Sequence, residues 1–114
     1  MTVFVRARVE VRAGRQAEFE EIARALLQRA KDELGTLTYR FFPAGDGAYL
    51  VIEEYADAQA LGAHQEGAGD LLARVEECAE NFSVELYGPI GSELSAWVES
   101  NPQATAYPDA DFSG

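Results

Sequence analysis

Apolar and polar positions alternate from the third residue onward. Between Val3 and Val11 the odd positions read Val3, Val5, Ala7, Val9 and Val11, and the even ones Phe4, Arg6, Arg8 and Glu10. A period of two rich in β-branched residues predicts a strand with one covered face, which Gly14 closes. From Arg15 to Leu34 the period lengthens. Phe19, Ile22, Ala23, Leu26, Leu27, Ala30 and Leu34 recur at spacings of three and four, with charged and amide residues opposite. This predicts a long amphipathic helix, with Gly35 as its C-terminal cap.

Thr36 to Phe42 returns to strand, with Leu37, Tyr39 and Phe41 on one side and Thr38, Arg40 and Phe42 on the other. The cluster Pro43-Ala44-Gly45-Asp46-Gly47 predicts a turn, so Tyr49 to Tyr55 completes a hairpin. Asp57 is placed to cap a short helix through His64. Gly67 and Gly69 interrupt it before a second helical stretch that carries Leu71, Leu72, Val75, Cys78 and Ala79 inward. Phe82, Val84 and Leu86 mark a fourth strand, ended by Gly88-Pro89. Ser92 is a candidate cap for a last helix with Ile90, Leu94, Trp97 and Val98 on one side. After Asn101-Pro102 the periodicity stops. The reading is one domain over residues 1–100 and a polar tail over 101–114, mobile unless it docks.

Strand, helix, strand, strand, helix, strand is the split β-α-β order of an α+β, ferredoxin-like fold: a four-stranded antiparallel sheet with helices on one face. Phe4 and Phe42 then lie on the face that no helix covers. An exposed aromatic sheet face calls for a second layer, and a second copy of the same sheet supplies it most simply. A homodimer is therefore expected.

The chain has 114 residues, 47% of them hydrophobic, which is enough for one modest core. Nine basic against twenty acidic residues give a formal net charge of −11. Such a surface repels nucleic-acid backbones and anionic membranes. No apolar run is long enough to span a bilayer, and the N-terminus lacks the pattern of a signal peptide. Cys78 is the sole cysteine, which excludes an intrachain disulfide and suits a reducing cytoplasm.

Three segments carry a resemblance. Glu33-Leu34-Gly35-Thr36-Leu37-Thr38-Tyr39, Tyr49-Leu50-Val51-Ile52-Glu53-Glu54-Tyr55-Ala56-Asp57 and Ala60-Leu61-Gly62-Ala63-His64 are similar to the antibiotic biosynthesis monooxygenase family of dimeric α/β barrels, which includes quinol monooxygenases. With the element order, the likeness runs from about residue 2 to residue 90. It implies oxidation of a small phenol, anthrone or quinol by O2, with no cofactor, in an apolar pocket between helices and sheet. Candidate lining residues are Tyr55, Phe41, Leu61 and Trp97. A haem-degrading branch fits poorly, because the first strand carries no asparagine and the only tryptophan, Trp97, lies beyond the fourth strand.

Each candidate has a functional and a structural reading. His64, the only histidine, is either an acid/base group at the pocket or the maker of a structural hydrogen bond at a helix end. Glu53 is either a proton shuttle or the partner of Arg6, Arg8 or Arg40 in an ion pair. Strand alternation sends one of Glu53 and Glu54 toward the helices and the other toward the partner subunit. Tyr39 either hydrogen-bonds a substrate oxygen or packs, and Trp97 is either a lid or an anchor for the last helix. Cys78 reads as a small core residue. One histidine and no cysteine pair make no zinc site, and the Gly67-Ala68-Gly69 run lacks the third glycine of a dinucleotide loop. The alternative to an enzyme is a dimeric ligand-binding or scaffold domain of the same fold.

Overall fold

The computed structural model describes residues 1–113. The elements are β1 (Val3–Val11), α1 (Gln16–Lys31), β2 (Thr36–Pro43), β3 (Ala48–Tyr55), α2 (Ala58–Gly67), α3 (Gly69–Cys78), β4 (Ala79–Tyr87), α4 (Gly91–Ser100) and β5 (Ala104–Tyr107). They form the α+β, ferredoxin-like arrangement, in one sheet of order β2-β3-β1-β4-β5. The four long strands pair antiparallel, and β5 pairs parallel to β4. The sheet is thus mixed and five-stranded rather than four-stranded and antiparallel. Residues 104–107 dock on its edge, where Val84 faces Ala104 and Tyr87 faces Tyr107.

β1 is central, so its odd positions meet the helices. Val3, Val5, Ala7 and Val9 are all buried, whereas Phe4 is 44% exposed. The inward stripe of α1 is Phe19, Ile22, Leu26 and Ala30, at helical spacing. Leu34 does not continue it. The helix ends at Lys31 with Asp32 as its cap, and Leu34 is fully exposed in the following turn. Gly35 is accordingly no helix cap. It stays glycine because a Cβ there would collide with the Cβ of Ala60 on α2. Leu37 is also displaced: a register shift between Thr36 and Thr38 leaves it 53% exposed instead of on the face of Tyr39 and Phe41.

Asp57 caps α2 as expected, its carboxylate accepting from the Ala60 N–H at 2.8 Å. Ser92 caps nothing, since α4 starts after Ile90 and its N-terminus has no side-chain cap. Among the described residues, no helix is long and apolar enough to cross a membrane.

The helix-covered side holds two clusters of buried apolar residues. One centres on Val5, Val51, Leu61 and Leu86, the other on Phe19, Leu26, Leu71 and Val75. Tyr39, Phe41 and Phe82 touch both. Among the described residues, no helix covers the opposite side of the sheet. It presents Phe4, Phe42, Ile52 and Tyr107 around an Arg6–Glu85 ion pair, with Arg40 lying 4.9 Å over the Phe42 ring.

Candidate functional site

A cavity of about 360 Å³ opens between the two clusters, under the helices and over the inner face of the sheet. That volume suits a small organic ligand of two or three fused rings. Val5, Val51, Val84 and Leu86 make its floor, and Phe19, Leu26 and Leu72 its helical side. The exposed lining residues Gly69, Ala73 and Glu76 of α3 lie at its mouth, with Trp97 and Asn101 at the end of α4. The Asn101 side-chain amide donates to the Trp97 carbonyl oxygen at 2.7 Å, which fixes that rim.

Of the residues singled out in the sequence, Tyr39, Phe41, Glu53, Leu61, His64 and Trp97 all line this space. Tyr55 does not. It lies behind the wall, fully buried, and acts there through its neighbours.

The polar part of the wall is small. His64 is 3% exposed on the inner side of α2, between the rings of Tyr39 and Tyr55 at 5.1 and 5.5 Å. Its Nδ1 lies 2.8 Å from Glu33 Oε1. Glu33 sits in the turn between α1 and β2, where it also accepts from the Thr36 hydroxyl at 2.8 Å. In the neutral imidazole, a carboxylate partner at Nδ1 keeps the ring proton there and leaves Nε2 with the lone pair. Nε2 is the buried polar side-chain atom that finds no partner among the described residues. A buried ring nitrogen of this kind, on a residue of the cavity wall, is placed to meet a polar atom of whatever enters the cavity.

β3 alternation decides between the two adjacent glutamates. Glu53 turns inward with Val51 and Tyr55, between Val5 of β1 and Tyr39 of β2. Glu54 turns outward, where Thr38 donates to it at 3.1 Å. The expected ion pair for Glu53 does not form. Arg6 pairs instead with Glu85 on the outer face, and Glu53 takes one hydrogen bond, from the Tyr55 hydroxyl at 2.5 Å. Burial pushes the Glu53 carboxyl up to about 7; the Tyr55 hydrogen bond pulls it back and nearby Glu33 adds to the rise. Burial likewise raises both phenols, Tyr39 and Tyr55, far above their ordinary range, with Glu53 contributing. Both stay hydroxyl donors.

Glu33 was not singled out as functional in the sequence. Its partner lies 31 residues away, and only the packing of α2 against the α1–β2 turn joins them. Gly35 permits that packing. Among the described residues, no three His, Cys, Asp or Glu side chains converge as a metal site. Cys78 is buried beside α1, and burial raises its thiol.

Comparison with known proteins bears on this geometry. A family model described as antibiotic biosynthesis monooxygenase matches residues 2–79. The crystal structure of MupZ from Pseudomonas fluorescens has 22% sequence identity and a TM-score of 0.79, over 99% of this chain and 94% of that one. Rv0793 from Mycobacterium tuberculosis has 22% identity and a TM-score of 0.72, over 81% of this chain and 98% of that one. A candidate antibiotic biosynthesis monooxygenase from Caulobacter crescentus CB15 has 26% identity and a TM-score of 0.69, over 75% and 86%. No functionally curated protein matches the sequence. The family match contains Glu33, Tyr39, Glu53, Tyr55 and His64, and it ends before Trp97 and Asn101. The fold of MupZ extends over that C-terminal part as well.

Proposed function

Because this chain belongs to the antibiotic biosynthesis monooxygenase family, we propose that it inserts one atom of O2 into a small hydroxyaromatic substrate, a phenol, anthrone or quinol. The observation that carries this reading is His64. Its ring is part of the wall of an apolar cavity, Glu33 holds its Nδ1, and its Nε2 is unpartnered. That arrangement supports a general-base role for His64.

In this reading the substrate lies in the cavity with an acidic O–H or C–H toward His64. Nε2 takes the proton, and the resulting imidazolium is steadied by Glu33, so the cavity gains no net charge. Hydroxyl donation from Tyr39 stabilises the substrate anion, which is now electron-rich enough to reduce O2. For an anthrone-type methylene the balance is one O2 consumed, the CH2 converted to C=O, and one water released. All four electrons come from the substrate, and the proton held on Nε2 leaves with the water. Trp97 and Asn101 shape the mouth and limit the entry of solvent.

The oligomer belongs to the same proposal. Helices cover one side of the sheet, and Phe4, Phe42, Ile52 and Tyr107 remain on the other. A second copy packed face to face across a two-fold axis covers both sets at once. The single buried cysteine suits a cytoplasmic protein.

Oxygen uptake tests the activity, using metal-stripped protein and a panel of hydroquinones and anthrones. Uptake above autoxidation, reduced by roughly 10²–10⁴ in His64→Ala, is the expected result for loss of a general base. Uptake unchanged in His64→Ala removes histidine from the mechanism. Absence of uptake on the whole panel favours a non-catalytic ligand-binding domain.

A further inference from the structure

The charges around the cavity are one-sided. Glu53 and Glu76 line it, and Glu33 stands behind His64, yet no Arg or Lys is among the described lining residues. Glu53 is the deepest of these carboxyls, 7% exposed, and its hydrogen-bond partner is a hydroxyl rather than a cation. The groups facing it are Val5 from β1, Tyr39 from β2, Tyr55 from its own strand, His64 from α2 and Glu33 from the α1–β2 turn. Across the cavity, α3 contributes Glu76 and α4 contributes Trp97. None of these brings a fixed positive charge. A buried carboxylate without a cation is costly, and an apolar ligand that displaces water from beside it makes it costlier still.

We propose that the cavity is a charge filter: it takes ligands that arrive uncharged, rejects anions of the same size, and meets them with Glu53 as a protonated acid that donates to a ligand oxygen. Tyr55 occupies one oxygen of that carboxyl and leaves the other for the ligand. Binding of a neutral ligand then takes up a proton whenever the free protein holds Glu53 ionised, which is the case above about pH 7. The substrate class narrows accordingly. A hydroxyaromatic compound without carboxylate, sulfate or phosphate fits, and its acidified relatives do not. The inference rests on the cavity being the substrate site but not on turnover there.

The test is an anaerobic titration with 1-naphthol and with 1-naphthoate, a neutral and an anionic probe built on one ring system, between about pH 6 and about pH 8.5. Naphthol affinity is expected to be flat at the acid end and to fall toward tenfold per pH step above neutrality. Naphthoate is expected to bind at least tenfold more weakly throughout. In Glu53→Gln the naphthol profile becomes flat. In Tyr55→Phe its midpoint moves to higher pH, because the hydrogen bond that favours the ionised carboxyl is gone; a merely structural role for Glu53 moves neither. Equal or tighter binding of naphthoate overturns the filter. So does a naphthol profile that survives Glu53→Gln, and so does failure of both probes to bind. Oxygen uptake without discrimination leaves the oxygenase reading standing alone, and discrimination without uptake leaves the filter standing alone.

Discussion

Replacing Glu53 by glutamine tests the electrostatics of the interior without reference to any substrate. A carboxyl raised in the folded protein binds more protons there than in the unfolded chain, so its contribution to stability declines as pH rises. For Glu53 the decline begins near the ordinary value of 4.5 and is complete just above about 7. At ~1.4 kcal/mol per pH step this amounts to about 3 kcal/mol. Glutamine keeps the acceptor for the Tyr55 hydroxyl and removes the titration, while its buried amide N–H groups cost about 1 kcal/mol. The variant is therefore expected to be less stable than the parent by about 1 kcal/mol near pH 4, to match it a little above pH 5, and to be more stable by about 2 kcal/mol near pH 8. The second difference corresponds to a rise in Tm of roughly 8 °C for a chain of this size. Glu18, Glu85 and Asp70 do not confuse the comparison. Their carboxyls are lowered, chiefly by hydrogen bonds from Arg15, Tyr87 and Arg29 respectively, and what they contribute fades only below the ordinary carboxyl range. Thermal melts or urea titrations of both proteins across this range supply the curves. Parallel curves that never cross would refute the account of Glu53 as a buried, cation-free carboxyl.

Glu33→Gln is expected to leave the fold intact and to lower turnover by on the order of 10²-fold, because His64 loses the carboxylate that fixes its tautomer and steadies its protonated form; steady-state oxygen uptake checks it. Gly35→Ala forces a Cβ into Ala60 and is expected to cost about 2 kcal/mol in urea unfolding, with His64 chemistry impaired as α2 shifts. Light scattering is expected to give twice the 12.4 kDa chain mass, and Phe4→Glu on the uncovered sheet face is expected to return the protein to monomer. A monomeric parent contradicts the two-layer reading.

Much of this fold was legible because burial repeats at the period of each element. Val3, Val5, Ala7 and Val9 fall inward as alternation requires, and Phe19, Ile22, Leu26 and Ala30 follow the helical stripe. The misreadings sit where a period outlasts its element. Leu34 keeps the helical spacing but lies beyond the end of α1, and Leu37 keeps the strand spacing but occupies a bulge. β5 was hidden for another reason. Four residues, Ala104–Tyr107, are too short to show a period, and they become a strand only through the edge that β4 offers.

The candidate site divides the same way. His64, Tyr39 and Glu53 stand out by residue type, but which of Glu53 and Glu54 faces inward depends on register. The ion pair expected for Glu53 fails because the arginines of the neighbouring strands lie on the opposite face, where Arg6 finds Glu85. Glu33 was missed because a turn residue acquires its role from the helix packed upon it.

The most direct test of the central claim is turnover under heavy-isotope O2 with an anthrone or hydroquinone that supports uptake, followed by mass spectrometry of the product. The account predicts one labelled oxygen atom per product molecule, with the rate of labelling reduced in His64→Ala as uptake is. Product that carries no label, or label that enters equally fast without a functional His64, contradicts it.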